Sequence, residues 1–91
     1  MKQCFICEEW ANTEEHHIFG GTANRKISDK YKLVVDLCPN CHQYGKKAVH
    51  KNEDMAQFLH EYGQRKFMRE QGVGIAEFVR IFGRNYLDES W

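Results

Sequence analysis

The sequence predicts a small α+β domain held by a metal staple: two short strands, a helical turn and two amphipathic helices behind them. Three observations lead there. Four cysteines fall as Cys4-x-x-Cys7 and Cys38-x-x-Cys41. The stretch Tyr31 to Leu37 concentrates β-branched and aromatic side chains. Beyond residue 52, apolar side chains recur at spacings of three and four. With 91 residues, one domain over 1–91 is the expected count. A chain of this size buries only about 60–65% of its unfolded surface, so a staple is needed. The apolar fraction of 42% argues against disorder. The longest clean apolar run is Leu33-Val34-Val35, too short for a membrane span or a signal-peptide core, and the expected compartment is the cytoplasm.

Element by element, the first knuckle, Cys4-Phe5-Ile6-Cys7, belongs at a hairpin turn. Glu15 to Phe19 alternates enough for a short strand, ended by Gly20-Gly21. Gly20 to Lys30, with Asn24-Arg25-Lys26, reads as loop. Tyr31 to Leu37 is the strongest strand and runs into Cys38-Pro39-Asn40-Cys41, where Pro39 suits the first turn of a helix. Gly45 to Asn52 is a basic loop around His50. Asn52 caps the first long helix, whose apolar stripe is Met55, Phe58, Leu59 and Tyr62. Gly63 weakens its middle and Gln71-Gly72 ends it. Ile75, Phe78, Val79, Phe82 and Tyr86 trace the second helix, with Gly83 a flaw near its end. Both stripes read as core, and His60 as a surface position on the first helix.

The cysteine spacing selects among disulfides, thiol chemistry and a metal. A two-residue gap lets both sulfurs of a pair face one point, and two such pairs complete a closed tetrahedral zinc shell. A reducing compartment disfavours disulfides, and a single redox C-x-x-C leaves the second pair unexplained. Structural zinc on Cys4, Cys7, Cys38 and Cys41 is the expectation. A closed shell speaks to folding, because no coordination position is open for chemistry.

Formal net charge is zero but unevenly spread. Residues 1–24 hold one basic side chain against four acidic, residues 25–51 hold seven against two, and residues 52–91 five against seven. The basic middle segment can face phosphate, or its lysines can simply be solvated. Any chemistry must come from the histidines. His16 and His17 are adjacent on a strand and point to opposite faces, so one can bind a metal while its neighbour faces a substrate. His42 directly follows Cys41, and His50 lies in the basic loop. Each histidine taken alone also reads as structural or solvent-facing. Three imidazoles on a second metal with open positions would make a reaction centre. Beside a basic surface, such a centre suits phosphodiester hydrolysis, with a neutral histidine taking the proton of the attacking water.

His16-His17-Ile18 after the first C-x-x-C, then Leu37-Cys38-x-x-Cys41-His42, resembles the HNH endonucleases. Their ββα-metal fold hangs on a zinc bound by two C-x-x-C pairs, and the resemblance covers roughly residues 4–52, leaving 53–91 as a helical extension. More narrowly, His17-Ile18-Phe19-Gly20-Gly21, Asn24-Arg25-Lys26, Val49-His50 and Phe82-Gly83-Arg84-Asn85-Tyr86-Leu87 look like small HNH proteins carried by phages and prophages. The resemblance implies His17 as general base, His16 and His42 as ligands of a catalytic divalent metal (Mg²⁺, Mn²⁺ or another transition metal), and His50 as a third ligand by analogy. It implies DNA as substrate and phage DNA-processing or packaging proteins as partners, and from the basic segment Arg25, Lys26, Lys46, Lys47 and Lys51 are the candidates for phosphate contacts. One departure is clear: the family's middle Asn falls here on Leu33, leaving its orienting task to a backbone carbonyl or Asn24. Two other readings stand beside this one. One is a non-catalytic zinc-knuckle module binding nucleic acid or protein, and the other an interaction protein working through its acidic, aromatic C-terminal helices.

Overall fold

The structure, a computed structural model, describes residues 1–87, so the last four positions of the expected 1–91 domain lie outside it. The described chain is a small α+β domain with two two-stranded antiparallel sheets. Strands β1 (Lys2–Gln3) and β2 (Trp10–Ala11) form a hairpin, with Cys4 and Cys7 in its turn. Strands β3 (Glu14–His17) and β4 (Val34–Leu37) form the second sheet, with His16 opposite Val35 and His17 opposite Val34. Between them lies helix α1 (Thr22–Lys30). After β4 comes one π-helical turn, Asn40–Tyr44, and then the long helix α2 (Glu53–Gln71) and the short α3 (Ile75–Phe82).

Helix α1 corrects the expectation of a loop over Gly20–Lys30. Asn24, Ile27, Ser28 and Tyr31 are its less exposed positions, spaced three, four and seven apart, so the helical period is present. It is carried largely by polar side chains, which conceals it. Ser28 is fully buried because its hydroxyl donates to the Phe19 carbonyl at 3.1 Å and accepts from the Phe19 amide at 3.3 Å. Asn24 Nδ2 donates to the Phe82 carbonyl at 3.3 Å and ties α1 to the end of α3.

The strands are shorter than expected at their outer ends. Ile18 and Phe19 leave the ladder, although the Ile18 amide still donates to the Leu33 carbonyl at 3.0 Å. Tyr31 and Lys32 form a turn rather than strand, with Lys32 left-handed at φ 57°. Pro39 holds helical dihedrals ahead of the π turn. Asn52 caps α2 by accepting from the Met55 amide at 3.1 Å, and Gly72 closes it in the left-handed conformation.

The core gathers Ile18, Phe19, Leu33, Val35, Leu37, Leu59, Phe67, Phe78 and Phe82. Phe19 is its centre, with its ring 4.7 Å from Phe82 and 5.5 Å from Phe78 and from Tyr86. Two stripe assignments need correction. Phe58 is 52% exposed, because α2 turns only Leu59, Gly63, Gln64 and Phe67 fully inward. Helix α3 stops at Phe82 where Gly83 turns left-handed, so Tyr86 reaches the Phe19 ring from beyond the helix.

Gly63 is a point of close approach rather than a weakness. A Cβ there would lie 2.7 Å from Ile18 Cγ2 and 2.9 Å from Phe19 Cε2, both on buried side chains. Glycine lets α2 lie directly on the residues that follow β3. Gly63→Ala should therefore lower stability by about 1–3 kcal/mol through overpacking, outweighing a helix-propensity gain of at most about 1 kcal/mol. Urea unfolding checks this, and a more stable variant would contradict the packing described.

Candidate functional site

The four cysteines meet at one point although 30 residues separate the pairs. Cys4 and Cys7 come from the β1–β2 turn, Cys38 from the end of β4 and Cys41 from the π turn. Their sulfurs lie within 4.8 Å of one another, with Cys7 Sγ 3.7 Å from Cys38 Sγ. Four sulfurs about 2.3 Å from a central zinc stand about 3.8 Å apart in a tetrahedron, so the spacing fits that ion.

The four sulfurs are not equivalent. The Cys41 amide points at Cys38 Sγ from 3.4 Å. Burial alone raises the Cys4 thiol, but backbone groups of Cys38, Cys7 and Ile6 and the Cys7 side chain outweigh it and bring the group down to about 6. Cys41 moves the other way, raised by burial and by the sulfurs of Cys38, Cys7 and Cys4. Four thiolates this close repel one another unless a cation neutralises them, which is the chemistry of a structural zinc. The Phe5 amide donates to the Asp36 carbonyl at 2.8 Å and locks the knuckle onto β4.

A second cluster lies beside the first. His16 leaves β3 on the face that also carries Glu14, His42 follows Cys41 in the π turn, and His50 comes back to them in the following turn. That turn is pinned by buried Ala48 and Val49, with the Val49 amide donating to the Cys41 carbonyl at 2.9 Å. Ring centroids are 5.2 Å apart for His16–His42, 5.3 Å for His16–His50 and 4.6 Å for His42–His50. One nitrogen from each ring falls within a common 4.8 Å, a set that could hold a metal ion. Burial, then the neighbouring His42, His50, His60 and His17, pushes the His16 imidazolium down to about 4, so His16 is neutral at pH 7.

Glu14 sets the tautomer of His42. Its Oε1 lies 2.8 Å from His42 Nδ1, and an ionised carboxylate only accepts, so Nδ1 carries the hydrogen. The lone pair is then on Nε2, which faces His50 Nε2 at 3.0 Å. A carboxylate behind an imidazole is the usual support for a metal-binding histidine. Glu14 escaped the sequence reading, although it stands two residues before His16 on the same strand face.

His17 leaves β3 on the opposite face. Its Nε2 lies 2.7 Å from Asp29 Oδ1 on α1 and 3.8 Å from Glu15 Oε1. His16, His17, His42, His50, His60 and Arg25 border one open cleft of about 460 Å³. His60 is half-buried rather than on the surface, stacked on Phe19 at 5.6 Å and 4.4 Å from the Tyr86 ring. Burial and then Arg84 lower its pKa.

The five basic residues read as phosphate contacts stand at several places. Arg25 borders the histidine cleft, and Lys26 sits with Arg25 and Asp29 in a neighbouring groove. Lys46 and Lys47 line a groove on the knuckle side with Ile6 and Met55, and Lys51 is exposed in the turn after His50. Asp29 had no signal once its stretch was read as loop. As a helix, that stretch puts Arg25 and Asp29 one turn apart on one face. Among the described residues no helix is long and apolar enough to cross a membrane.

Because the cysteines tie the hairpin to β4 across the whole β3–α1 segment, metal removal should act on the fold. A strong chelator, or Cys38→Ser, is expected to abolish cooperative unfolding monitored by circular dichroism, and elemental analysis should find zinc bound to the native chain. A chelated chain that keeps its native spectrum and unfolding transition would contradict this role.

Comparison with protein-family profiles, with curated proteins and with solved structures finds no match for this chain, so the functional reading rests on its own residues.

Proposed function

We propose that the chain is a metal-dependent endonuclease of the HNH type, hydrolysing phosphodiester bonds of DNA. The observation that carries this reading is the division of labour along β3. His16 joins His42 and His50 on one face, and His17, the next residue, borders the same cleft from the other. In this reading β3, β4 and the turn Asn40–Tyr44 correspond to the ββα-metal core, with α1 inserted between the strands and one turn in place of a full helix.

His16, His42 and His50 would hold the divalent cation, and a set of three imidazole ligands favours a transition ion over Mg²⁺. Bound there, the cation supplies positive charge to the scissile phosphate and to the departing 3′ oxygen. The protein's own groups do the rest. Glu14 keeps His42 in the tautomer that offers Nε2. His17 donates Nε2–H to Asp29, which leaves Nδ1 free to take a proton from the attacking water. Water oxygen joins phosphorus, the bond to the 3′ oxygen breaks, and a 5′-phosphate and a 3′-hydroxyl remain, the 3′ oxygen taking its proton from solvent. Arg25 at the cleft and Lys26 on the same helix are suited to neighbouring phosphates. Such contacts position the duplex without reading sequence, so low specificity and steep salt dependence go with this reading. Partners among phage DNA-processing or packaging proteins and a cytoplasmic place of action belong to the same proposal.

Nicking of supercoiled plasmid by wild type and His17→Ala, each with its zinc and native circular dichroism, tests the reading. The wild type is expected to nick with Mn²⁺ more readily than with Mg²⁺ and not at all with chelator. His17→Ala should lose roughly 10²- to 10⁴-fold in rate, the usual worth of a general base. If both proteins are equally inert with every metal, the nuclease proposal fails and a zinc-knuckle binding module takes its place.

A further inference from the structure

We propose that Asp29 is the positioning residue of the general base, an Asp–His pair that fixes which nitrogen of His17 is free to react. This inference rests on the reading of His17 as the base. Asp29 Oδ1 and His17 Nε2 are 2.7 Å apart, the length of a charge-assisted hydrogen bond. The carboxylate can only accept, so the hydrogen is on Nε2 and the lone pair on Nδ1. The two groups are unequal in freedom: the His17 side chain is 14% exposed and that of Asp29 59%. Packing confines the imidazole, while the carboxylate at the rim selects its tautomer.

The rest of the site leaves this task open. Leu33, where the HNH resemblance expects an orienting Asn, is a wholly buried apolar side chain. Its amide donates to the Ser28 carbonyl at 2.7 Å and its carbonyl accepts from Ile18 at 3.0 Å, so its backbone is engaged in joining β4 to α1 and β3. Asn24, the other substitute the sequence offered, spends its side chain on the Phe82 carbonyl. Of the two carboxylates near the ring, Glu15 stands 3.8 Å from Nε2, beyond hydrogen-bond reach, and Asp29 at 2.7 Å is the one that meets it.

Helix α1 holds Asp29 in place without depending on it. The adjacent Ser28 is fully buried and bonded to both the amide and the carbonyl of Phe19, two residues after His17. The distance from α1 to β3 is therefore set by the core. One turn before Asp29, Arg25 reaches the histidine cleft. The inserted helix thus brings a cation to the phosphate and an anion to the imidazole, and a single element does the work of two.

The test combines a structural readout with a kinetic one. Proton and nitrogen-15 NMR of the zinc-loaded wild type reports the His17 ring N–H, and Asp29→Ala and Asp29→Glu are compared with it. Expected are a slowly exchanging Nε2–H proton shifted downfield by its carboxylate partner in wild type, loss of that signal in Asp29→Ala and its recovery in Asp29→Glu. In plasmid nicking with Mn²⁺, Asp29→Ala should lose roughly 100-fold or more in kcat with KM unchanged, as happens when a carboxylate behind a catalytic histidine is replaced, and Asp29→Glu should regain part of it. An unchanged downfield Nε2–H signal in Asp29→Ala overturns the proposal whatever the activity. So does a variant that keeps its kcat and loses only in KM. A wild type inert with all metals would instead strike the nuclease reading, while the Nε2–H signal still decides whether Asp29 orients the ring.

Discussion

The convergence of four cysteine sulfurs is the constraint on which the rest of the structure depends. Cys4 and Cys7 bring a hairpin too short to be stable alone, since β1 and β2 hold two residues each. Cys38 and Cys41 bring the end of β4 and the start of the π turn. Joining them closes the chain around β3 and α1, and the entropy of that closure grows only slowly with the length enclosed. The repulsion among thiolates makes the arrangement unfavourable without a cation and favourable with one. Because His42 is the residue after Cys41, the same cluster also fixes one corner of the histidine site.

The second constraint is the two-residue period of a strand. Glu14 and His16 share one face of β3, so the carboxylate that orders His42 and the imidazole that joins it arrive together. His17 faces the other way, toward α1. Immediately afterwards Ile18 and Phe19 enter the core, where Phe19 meets Phe78, Phe82 and Tyr86. The helices after residue 52 therefore do more than add bulk. Gly63 admits Ile18 and Phe19 at close range, and Phe19 anchors the strand that carries both histidines. His60 is drawn in by the same stack, which places it at the cleft.

What was legible in the sequence followed from spacing. The paired C-x-x-C motifs, the strand before Cys38, the capped helix after Asn52 and the helix stop at Gly72 all carry signals that depend on local chemistry alone. The divergence of His16 and His17 was legible for the same reason. Helix α1 was not, because its inward face is Asn24, Ile27 and Ser28, and a buried serine has no apolar signature. Its burial depends on Phe19 backbone groups that only the fold brings near. Glu14 and Asp29 carry no motif, since a carboxylate gains its meaning from the imidazole it meets. Phe58 misled in the opposite sense: helical spacing places it beside the stripe, but among the described residues it stays half exposed.

Two candidate metal sites of different kinds stand side by side, one closed by sulfur and one open among imidazoles. Crystals of the zinc-loaded protein soaked in Mn²⁺, with anomalous diffraction recorded at the zinc and manganese edges, test this most directly. Expected are a zinc peak among Cys4, Cys7, Cys38 and Cys41, and a manganese peak bounded by His16, His42 and His50 with His17 outside the coordination shell. Zinc at the cysteines with no manganese at the histidines, or manganese bound through His17, would contradict it.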